Sequence, residues 1–264
     1  MFKVGQLLVV STQKYLLEEK MKKIYRFSLI CGLIYLFFSP FLTYATQPYK
    51  QQGLIDQATV TFQNFVNDPN MTWFRQHLPN CKGILIVPQL LKGAFIIGAE
   101  GGTGVLLARD QFTGKWSQPV FYTLASVSFG LQAGAQSAEV ILMIMTNKGM
   151  DALLSTSIKL GADVSIAAGP YGAGAKAETV DVLAFSKSKG LFGGISIEGA
   201  LITPKNDWNI AYYKKNVRPV DIIVRKAAYN PYSSKLIKVV EKACAIRKPV
   251  AKPLQPQSSQ VNSK

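Results

Sequence analysis

Two glycine patterns in this 264-residue sequence have the spacing of a nucleotide-binding loop. Gly172, Gly174 and Ala177 fit G-x-G-x-x-A, a motif in which a helix begins at the glycines and points its amides at a pyrophosphate. Here residues 176–185 alternate as a strand does, so no helix N-terminus is available. A second spacing resembles a P-loop, but Ala175 stands where that motif requires lysine. The sequence therefore favours neither kind of nucleotide site.

Side chains that could catalyse a reaction are sparse. The single histidine, His77, lies in a predicted helical region ahead of the sheet, so the sequence offers no evident Ser/His/Asp or Cys/His set. The carboxylates of the predicted strands and loops show no paired signature: Glu100, Asp110, Glu139, Asp163, Glu178, Asp181 and Glu198. We expect no catalytic residue, no metal ligand and no cofactor.

The N-terminal region indicates export. Residues 21–26 are basic, residues 27–38 form an apolar run, and Thr43 and Ala45 are small residues at positions −3 and −1 of a cleavage site. This order is that of a secretory signal peptide. We expect cleavage between Ala45 and Thr46.

The extent of the leader has two interpretations. We expect synthesis to start at Met21 and residues 1–45 to be leader and signal peptide. Alternatively the segment stays as an anchor, because residues 27–46 carry no charge and approach the ~20 residues needed to span a bilayer. Both interpretations predict an exported protein of the periplasm or cell envelope, the second of them membrane-anchored.

The chain is strongly basic, with 30 Lys and Arg against 15 Asp and Glu. Residues 46–264 keep 24 basic and 13 acidic side chains, a net charge of +11. Such a surplus favours anionic partners such as lipid head groups, nucleic acid or acidic polymers. Export would place it beside envelope phosphates and anionic lipids, so we expect no nucleic-acid partner.

The cysteines that follow the leader are Cys81 and Cys244. An oxidising compartment permits a disulfide between them, and closing so long a loop would stabilise the fold by up to about 4–5 kcal/mol. Thiols far apart in sequence are also commonly unpaired, so both states remain open.

Helices are predicted at both ends of the main region. Residues 51–78 repeat apolar side chains at helical spacing with a break at Asp68 and Pro69, which indicates a helix pair. This pair either covers the sheet or faces a membrane. Residues 219–227 and a helix ending near Ile246 follow at the C-terminal end. Residues 248–264 are rich in Pro, Gln and Ser and are predicted to be a disordered tail.

Glycine-rich apolar runs between these helices predict strands. The predicted strands are 83–87, 94–99, 104–109, one or two strands in 120–136, then 139–145, 162–168, 176–185, 194–202 and 208–213. Alternating side chains in several of them indicate an antiparallel sheet, and Gly101, Gly102 and Gly104 indicate bends or close backbone approach. The predicted fold is α+β: a bent, Gly-rich antiparallel sheet or partial barrel flanked by N- and C-terminal helices, as one domain at 46–247.

Three lysines of the predicted C-terminal helix, Lys235, Lys238 and Lys242, fall within about 60° of one another at 100° per residue. Further basic residues of nearby polar segments can extend this face: Lys187, Lys189, Lys214, Lys215 and Arg218. The set is either a lipid-binding surface or a means of keeping an apolar protein soluble.

The chain resembles the SYLF domain family of lipid-binding modules from about Leu54 to Leu236. The resemblance rests on ordered blocks along the sequence: 82–88, 92–95, 101–106, 116–119, 129–134, 161–165, 168–170 and 194–199. It implies a non-enzymatic module: eukaryotic members bind phosphoinositides and some bind actin filaments, whereas bacterial members are mostly exported envelope proteins.

We therefore expect a non-catalytic module of the bacterial cell envelope that binds anionic phospholipid through a basic surface. The alternative is a protein-interaction scaffold whose partner is acidic or actin-like. The sequence names neither the lipid nor the oligomeric state.

Overall fold

Among the residues that can be described, eight strands form one sheet that curls into a half-barrel, with helices packed against it. The computed structural model describes residues 48–94, 97–129, 134–168, 179–189 and 197–245, all within one unit, Gln47–Lys264. This α+β architecture confirms the predicted fold class. The signal peptide, its cleavage site at Ala45 and Thr46, and the tail lie outside the described residues and stay predictions.

The elements follow the chain from α1 to α6. The helices are α1 (Pro48–Asn67), α2 (Thr72–His77), α3 (Asn147–Leu153), α4 (Asn206–Tyr213), α5 (Pro219–Ile223) and α6 (Ser234–Ala245). The strands are β1 (Gly83–Ala94), β2 (Ile97–Ala108), β3 (Val120–Phe129), β4 (Gly134–Ile144), β5 (Ile158–Lys159), β6 (Ile166–Ala168), β7 (Val182–Lys189) and β8 (Leu201–Pro204). Short 3₁₀ turns occupy Pro69–Met71, Leu78–Asn80 and Pro231–Ser233.

The sheet curls because its two edge strands are close in sequence. Its order is β5-β8-β3-β2-β1-β4-β7-β6, and neighbours are antiparallel except for the parallel pair β6 and β7. The edge strands β5 and β6 are separated only by residues 160–165, where Leu160 forms a bridge with Val164. A linker of that length reaches at most about 20 Å, so the edges must approach each other.

Each face of the sheet carries its own apolar core. The inner core combines strand side chains such as Leu85, Tyr122 and Ile202 with residues of α3 and α5. The outer core lies on the other face of the sheet, where Phe62 and Phe65 of α1 pack against the strand side chains that point away from the inner core. Fully burying one such side chain contributes about 1.5–3 kcal/mol, so two cores hold the sheet from both sides.

The structure corrects the predicted breaks at Pro88 and at the paired glycines. The predicted strand 83–87 does not end at Pro88, because β1 continues through it to Ala94 with a register shift against both neighbours. The predicted strands 94–99 and 104–109 are not separate either, because β2 runs from Ile97 to Ala108. Proline cannot donate to the ladder, and the bulge removes the need for that hydrogen bond. Gly101 and Gly102 consequently lie inside β2, with Gly102 opposite Leu90.

The prediction of a strand at 208–213 is wrong, because these residues form α4. Their aromatic and branched side chains suit a strand, yet Asn209 and Tyr212 are both buried, three residues apart on one helix face. Asn209 also accepts a hydrogen bond from the Phe121 amide at 2.9 Å through Oδ1. Tertiary contacts therefore outweigh local propensity here. The helices predicted over 51–78 and near the C-terminus are confirmed.

One buried carboxylate ties three segments together. Asp181 accepts hydrogen bonds from the Thr146 hydroxyl at 2.6 Å and from the Ser165 amide and hydroxyl, each at 2.9 Å. Burial alone would raise the pKa of Asp181, but the hydrogen bonds from Thr146 and Ser165 outweigh it and hold that pKa below its ordinary value.

We predict that Asp181→Asn lowers the free energy of unfolding by about 2 kcal/mol at neutral pH. A depressed folded-state pKa stabilises the protein above the unfolded-state pKa, and this stabilisation is lost as the pH falls through the folded-state value. The difference between variant and parent should therefore shrink in acid. Urea unfolding at several pH values measures it, with the exposed Asp151→Asn as control. A difference that is constant with pH would contradict the expectation.

Candidate functional site

The three predicted helix lysines share one exposed face of α6. Lys235, Lys238 and Lys242 are exposed, whereas Leu236 and Val240 on the opposite side are buried in the outer core. None of the three lysines makes an ion pair within the part of the chain that the structure describes. Their charges are therefore free to meet an external anion.

Two of the other predicted basic residues are engaged inside the fold. Lys187 lies 2.6 Å from the carboxylate of Asp68 and 5.4 Å from the centroid of the Phe65 ring, beside the end of α1. Arg218 precedes α5 and forms an ion pair with Asp221 at 3.6 Å. The backbone of Lys189 pairs with Ser137 in the sheet. Lys187 and Arg218 are thus already held by carboxylates of the fold.

The remaining two, Lys214 and Lys215, lie beside an aromatic groove. Lys214 ends α4 in the left-handed conformation, with φ of 51°. The ammonium group of Lys215 donates to the Ala227 carbonyl at 3.0 Å. An open cavity of about 620 Å³ lies next to them and is lined by Gln52, Ala211, Tyr212, Tyr213, Lys214, Tyr229, Asn230, Pro231 and Tyr232. We call it the tyrosine groove.

The tyrosine groove presents aromatic surface to solvent. Tyr229 and Tyr232 are 72% and 73% exposed, and Lys235 follows Tyr232 by about one helical turn. Neither tyrosine is among the site residues predicted from the sequence. The Tyr-Asn-Pro-Tyr run at 229–232 was the available signal, because it combines turn residues with aromatics that no apolar pattern would bury.

Hydrogen bonds hold the groove in shape. Asn230 donates from its backbone amide to Gln118 Oε1 at 3.0 Å and from its side-chain Nδ2 to the Tyr212 carbonyl at 3.0 Å. Its own Oδ1 accepts from the Tyr232 amide at 3.1 Å. The Ser233 hydroxyl also donates to Gln118 Oε1, at 2.9 Å. Both exposed tyrosines thus flank Asn230, which is anchored to Gln118 in the β2–β3 connection and to Tyr212 of α4.

Two of the isolated carboxylates, Asp110 and Glu100, and the histidine make contacts within the fold. Asp110 pairs with Lys226 at 2.6 Å, and this hydrogen bond, with those from the Thr113 and Phe112 amides, holds its pKa well below the ordinary value. Glu100 pairs with Lys92 at 2.7 Å. His77 Nδ1 lies 2.8 Å from the Trp73 carbonyl. Within the described ranges, three or more potential metal ligands do not come together, and no helix there is long and apolar enough to cross a membrane.

Both glycine patterns fall on residues that the structure does not describe, so the absence of a nucleotide site there stays a prediction. The G-x-G-x-x-A segment at 172–177 lies outside the described residues, while the following strand begins at Val182.

Cys81 and Cys244 are buried with free thiols in the outer core. The Cys81 thiol donates to the Leu78 carbonyl at 3.1 Å. A hydrogen bond with Cys244, followed by burial, raises the pKa of the Cys81 thiol. The thiolate is the nucleophile in thiol chemistry, so such a thiol reacts slowly.

We predict that neither Cys81 nor Cys244 is alkylated by iodoacetamide at mild alkaline pH in the folded protein. After denaturation without a reductant, peptide mass mapping should find both residues labelled, because both are free thiols in the structure. Labelling of neither would indicate the disulfide that the sequence left open. Rapid labelling of the folded protein would contradict the burial of both thiols and the raised pKa of Cys81.

Comparison with known proteins gives a consistent set of relatives. A family model described as Ysc84, Las17-binding protein actin regulator, matches residues 125–243. Protein YSC84 of Saccharomyces cerevisiae is 30% identical over 172 residues, which is 62% of this chain and 36% of that protein. LAS seventeen-binding protein 3 of the same yeast is 33% identical over 175 residues, 62% of this chain and 37% of that protein.

The animal relatives give the same result. SH3 domain-containing YSC84-like protein 1 of Bos taurus is 28% identical over 152 residues, covering 55% of this chain and 44% of that protein. The chain therefore spans less than half the length of these curated relatives. No solved structure gives a significant match. The lysines of α6 and the main residues of the tyrosine groove fall inside the matched segment.

Proposed function

Because the chain belongs to the SYLF domain family, whose Ysc84 model matches residues 125–243, we propose that it is a non-catalytic module that associates with anionic lipid surfaces. The contact surface is the tyrosine groove together with the exposed face of α6. One observation carries the proposal: lysines without ion-pair partners in the described part of the chain lie next to two exposed tyrosines.

Charge supports the choice of this surface. Residues 205–245 contain nine basic and three acidic side chains. Four of the nine basic residues form ion pairs, and the other five do not among the described residues: Lys214, Lys215, Lys235, Lys238 and Lys242. Near an anionic membrane each such lysine is worth about 1 kcal/mol before salt screening. Several lysines together therefore suffice for reversible binding.

The tyrosines add a second contribution. A tyrosine ring is apolar with a polar tip, and such rings favour the interface between head groups and hydrocarbon. Tyr229 and Tyr232 project from a turn that Asn230 holds in place, so binding costs little conformational entropy. Lysines and aromatic rings at one edge suit a membrane interface better than a purely ionic ligand.

The location is part of the same proposal. The predicted signal peptide supports an exported protein of the bacterial periplasm or cell envelope, where anionic phospholipid is present. Peripheral contact through α6 is compatible with either a cleaved or a retained leader.

Lysine footprinting tests this surface. With vesicles that contain phosphatidylglycerol, we expect Lys214, Lys235, Lys238 and Lys242 to become less reactive toward an acetylating reagent than they are with neutral phosphatidylcholine vesicles. Exposed lysines away from this surface, Lys148 and Lys159, serve as internal controls and should keep their reactivity. Equal protection of the controls, or protection confined to them, would contradict the proposal.

A second candidate is a protein-interaction module. It is favoured by the description of the matching family as a Las17-binding actin regulator and by the name of the relative LAS seventeen-binding protein 3. The same basic face could then meet an acidic protein. Chemical crosslinking in the native envelope that recovers a protein at α6, combined with absence of vesicle binding, would favour this candidate.

A further inference from the structure

The described helices cover only part of the outer sheet face. They pack over side chains such as Ile86, Val105 and Phe121. Next along the strands comes a cross-strand row of half-buried threonines, Thr103 and Thr123 among them. Beyond that row the outer face continues with exposed residues: Leu91, Gly93, Ala99, Gly101, Ala125, Val127 and Leu201. We call these seven residues the bare face.

Strand pairing makes the bare face continuous. Leu91, Gly101 and Ala125 lie side by side across β1, β2 and β3, and Leu201 of β8 extends this row. Gly93, Ala99 and Val127 form the next row. Leu91, Val127 and Leu201 are 54%, 72% and 45% exposed. A contiguous exposed apolar surface of this kind marks a binding site more often than scattered apolar residues do.

The glycines of the bare face are not required by the fold. A Cβ added to Gly93 or Gly101 would meet no atom within 4 Å, and neither residue has a positive φ. Gly102 differs, because its added Cβ would lie 2.5 Å from the Gln89 carbonyl oxygen. At Gly101 the missing side chain instead leaves a shallow valley. Leu91 lies on one side of it, and Ala125 and Leu201 lie on the other. Such a valley lets the backbone of another element approach closely.

The bare face is recessed beside α1. A helix with its side chains is about 10 Å across, so the helix layer rises above the sheet by that amount. A cavity of about 460 Å³ lies at the inner corner of this step, lined by residues of α1, the β1 bulge and β4 that include Val60, Pro88 and Ser137. Ser137 is directly opposite Leu91, so the cavity and the bare face are one surface.

The inner corner is acidic although the protein is basic. Asp56 and Glu139 both line the cavity. Glu139 accepts a hydrogen bond from the Thr61 hydroxyl at 3.2 Å, and Gln52 donates to Asp56 at 3.0 Å. Within the described residues neither carboxylate has a Lys or Arg ion-pair partner. An element that docks here gains by placing a cation against this corner.

We propose that the bare face docks an amphipathic helix of a partner protein, lying beside α1 as an added member of the helix layer. Its apolar side faces the Gly and Ala rows, and Lys or Arg residues along one flank face Asp56 and Glu139. A planar bilayer would meet the raised helix layer before it reached the recess. This inference concerns a different surface from α6 and does not depend on lipid binding.

Two model helical peptides test the proposal on the full chain. They share one Leu/Ala apolar face and carry either lysine or glutamate on the polar side, with a fluorophore for anisotropy. The lysine peptide should bind and the glutamate peptide should not, although the net positive charge of the protein favours the latter. The double variant Asp56→Asn, Glu139→Gln should weaken binding of the lysine peptide by about tenfold or more.

Gly101→Leu separates close packing from general apolar adhesion. It adds apolar surface in open space, so simple adhesion would strengthen peptide binding, whereas filling the valley should weaken it by about tenfold. Leu91→Asn should also weaken it, and Val224→Asn, at an exposed position elsewhere, should not. Circular dichroism checks that each variant is folded.

Three results would overturn the helix as occupant. The first is equal binding of both peptides, and the second is stronger binding by Gly101→Leu. The third is a concentration-dependent dimer in sedimentation velocity, or binding to neutral vesicles, that Leu91→Asn abolishes, since the occupant would then be a second copy or a bilayer.

Discussion

Replacing Gly102 by valine is expected to lower the free energy of unfolding by about 3 kcal/mol, equivalent to a melting temperature roughly 6–12 °C lower. A Cβ at this position would lie 2.5 Å from the Gln89 carbonyl oxygen and 3.2 Å from the Leu90 Cα. Both are backbone atoms of the β1 bulge and cannot rotate away. The bulge that accommodates Pro88 therefore requires glycine on the neighbouring strand.

Gly101→Val is the matched control because it makes the same substitution at the adjacent position of the same strand. Its added Cβ meets nothing within 4 Å, and valine favours strands, so the melting temperature should be unchanged or slightly higher. Gly104→Val should be unfavourable as well, since its Cβ would lie 2.8 Å from the Ile86 carbonyl oxygen. Equal stability of the 101 and 102 variants would contradict the role of close approach at the bulge.

The second large effect is expected for membrane binding. Reversing two lysines of α6, as Lys238→Glu with Lys242→Glu, should weaken association with phosphatidylglycerol vesicles by about tenfold or more. Each lysine contributes about 1 kcal/mol of binding free energy near an anionic surface, and charge reversal adds repulsion to that loss. Salt screening reduces both contributions. The fold should survive because the buried side of α6 is unchanged. Co-sedimentation gives the affinity.

A charge-matched control removes the same charge elsewhere. Lys148→Glu with Lys159→Glu changes two exposed lysines outside α6 and the tyrosine groove. If net charge alone drives binding, both double variants lose affinity equally, and the assignment to α6 is wrong. If α6 is the contact, the control retains most of its affinity.

The helices at the two ends were predictable because their signal is local. In α6 the buried residues Leu236, Val240 and Cys244 recur at helical spacing with lysines opposite. The antiparallel core strands were equally predictable in type, since Ile, Val and Leu runs near the glycines suit a buried sheet. The bulge at Pro88 was not, because a register shift depends on two partner strands that lie elsewhere in the sequence.

The candidate site was predictable only in part. Lysines on one helix face follow from the 100° rotation per residue, so α6 emerges directly from the sequence. The engagement of Lys187 by Asp68 depends on a contact between residues 119 positions apart, which no local pattern reveals. The exposure of Tyr229 and Tyr232 likewise depends on how Asn230 is anchored to Gln118 and Tyr212.

Salt-dependent vesicle binding of the unmodified protein tests the proposed function most directly. We predict binding to vesicles that contain phosphatidylglycerol, weak or no binding to phosphatidylcholine alone, and progressive release from the anionic vesicles as ionic strength rises. Binding to both vesicle types with equal affinity, or no binding to anionic vesicles even at low salt, would contradict the account of a basic lipid-associating surface on α6 and the tyrosine groove.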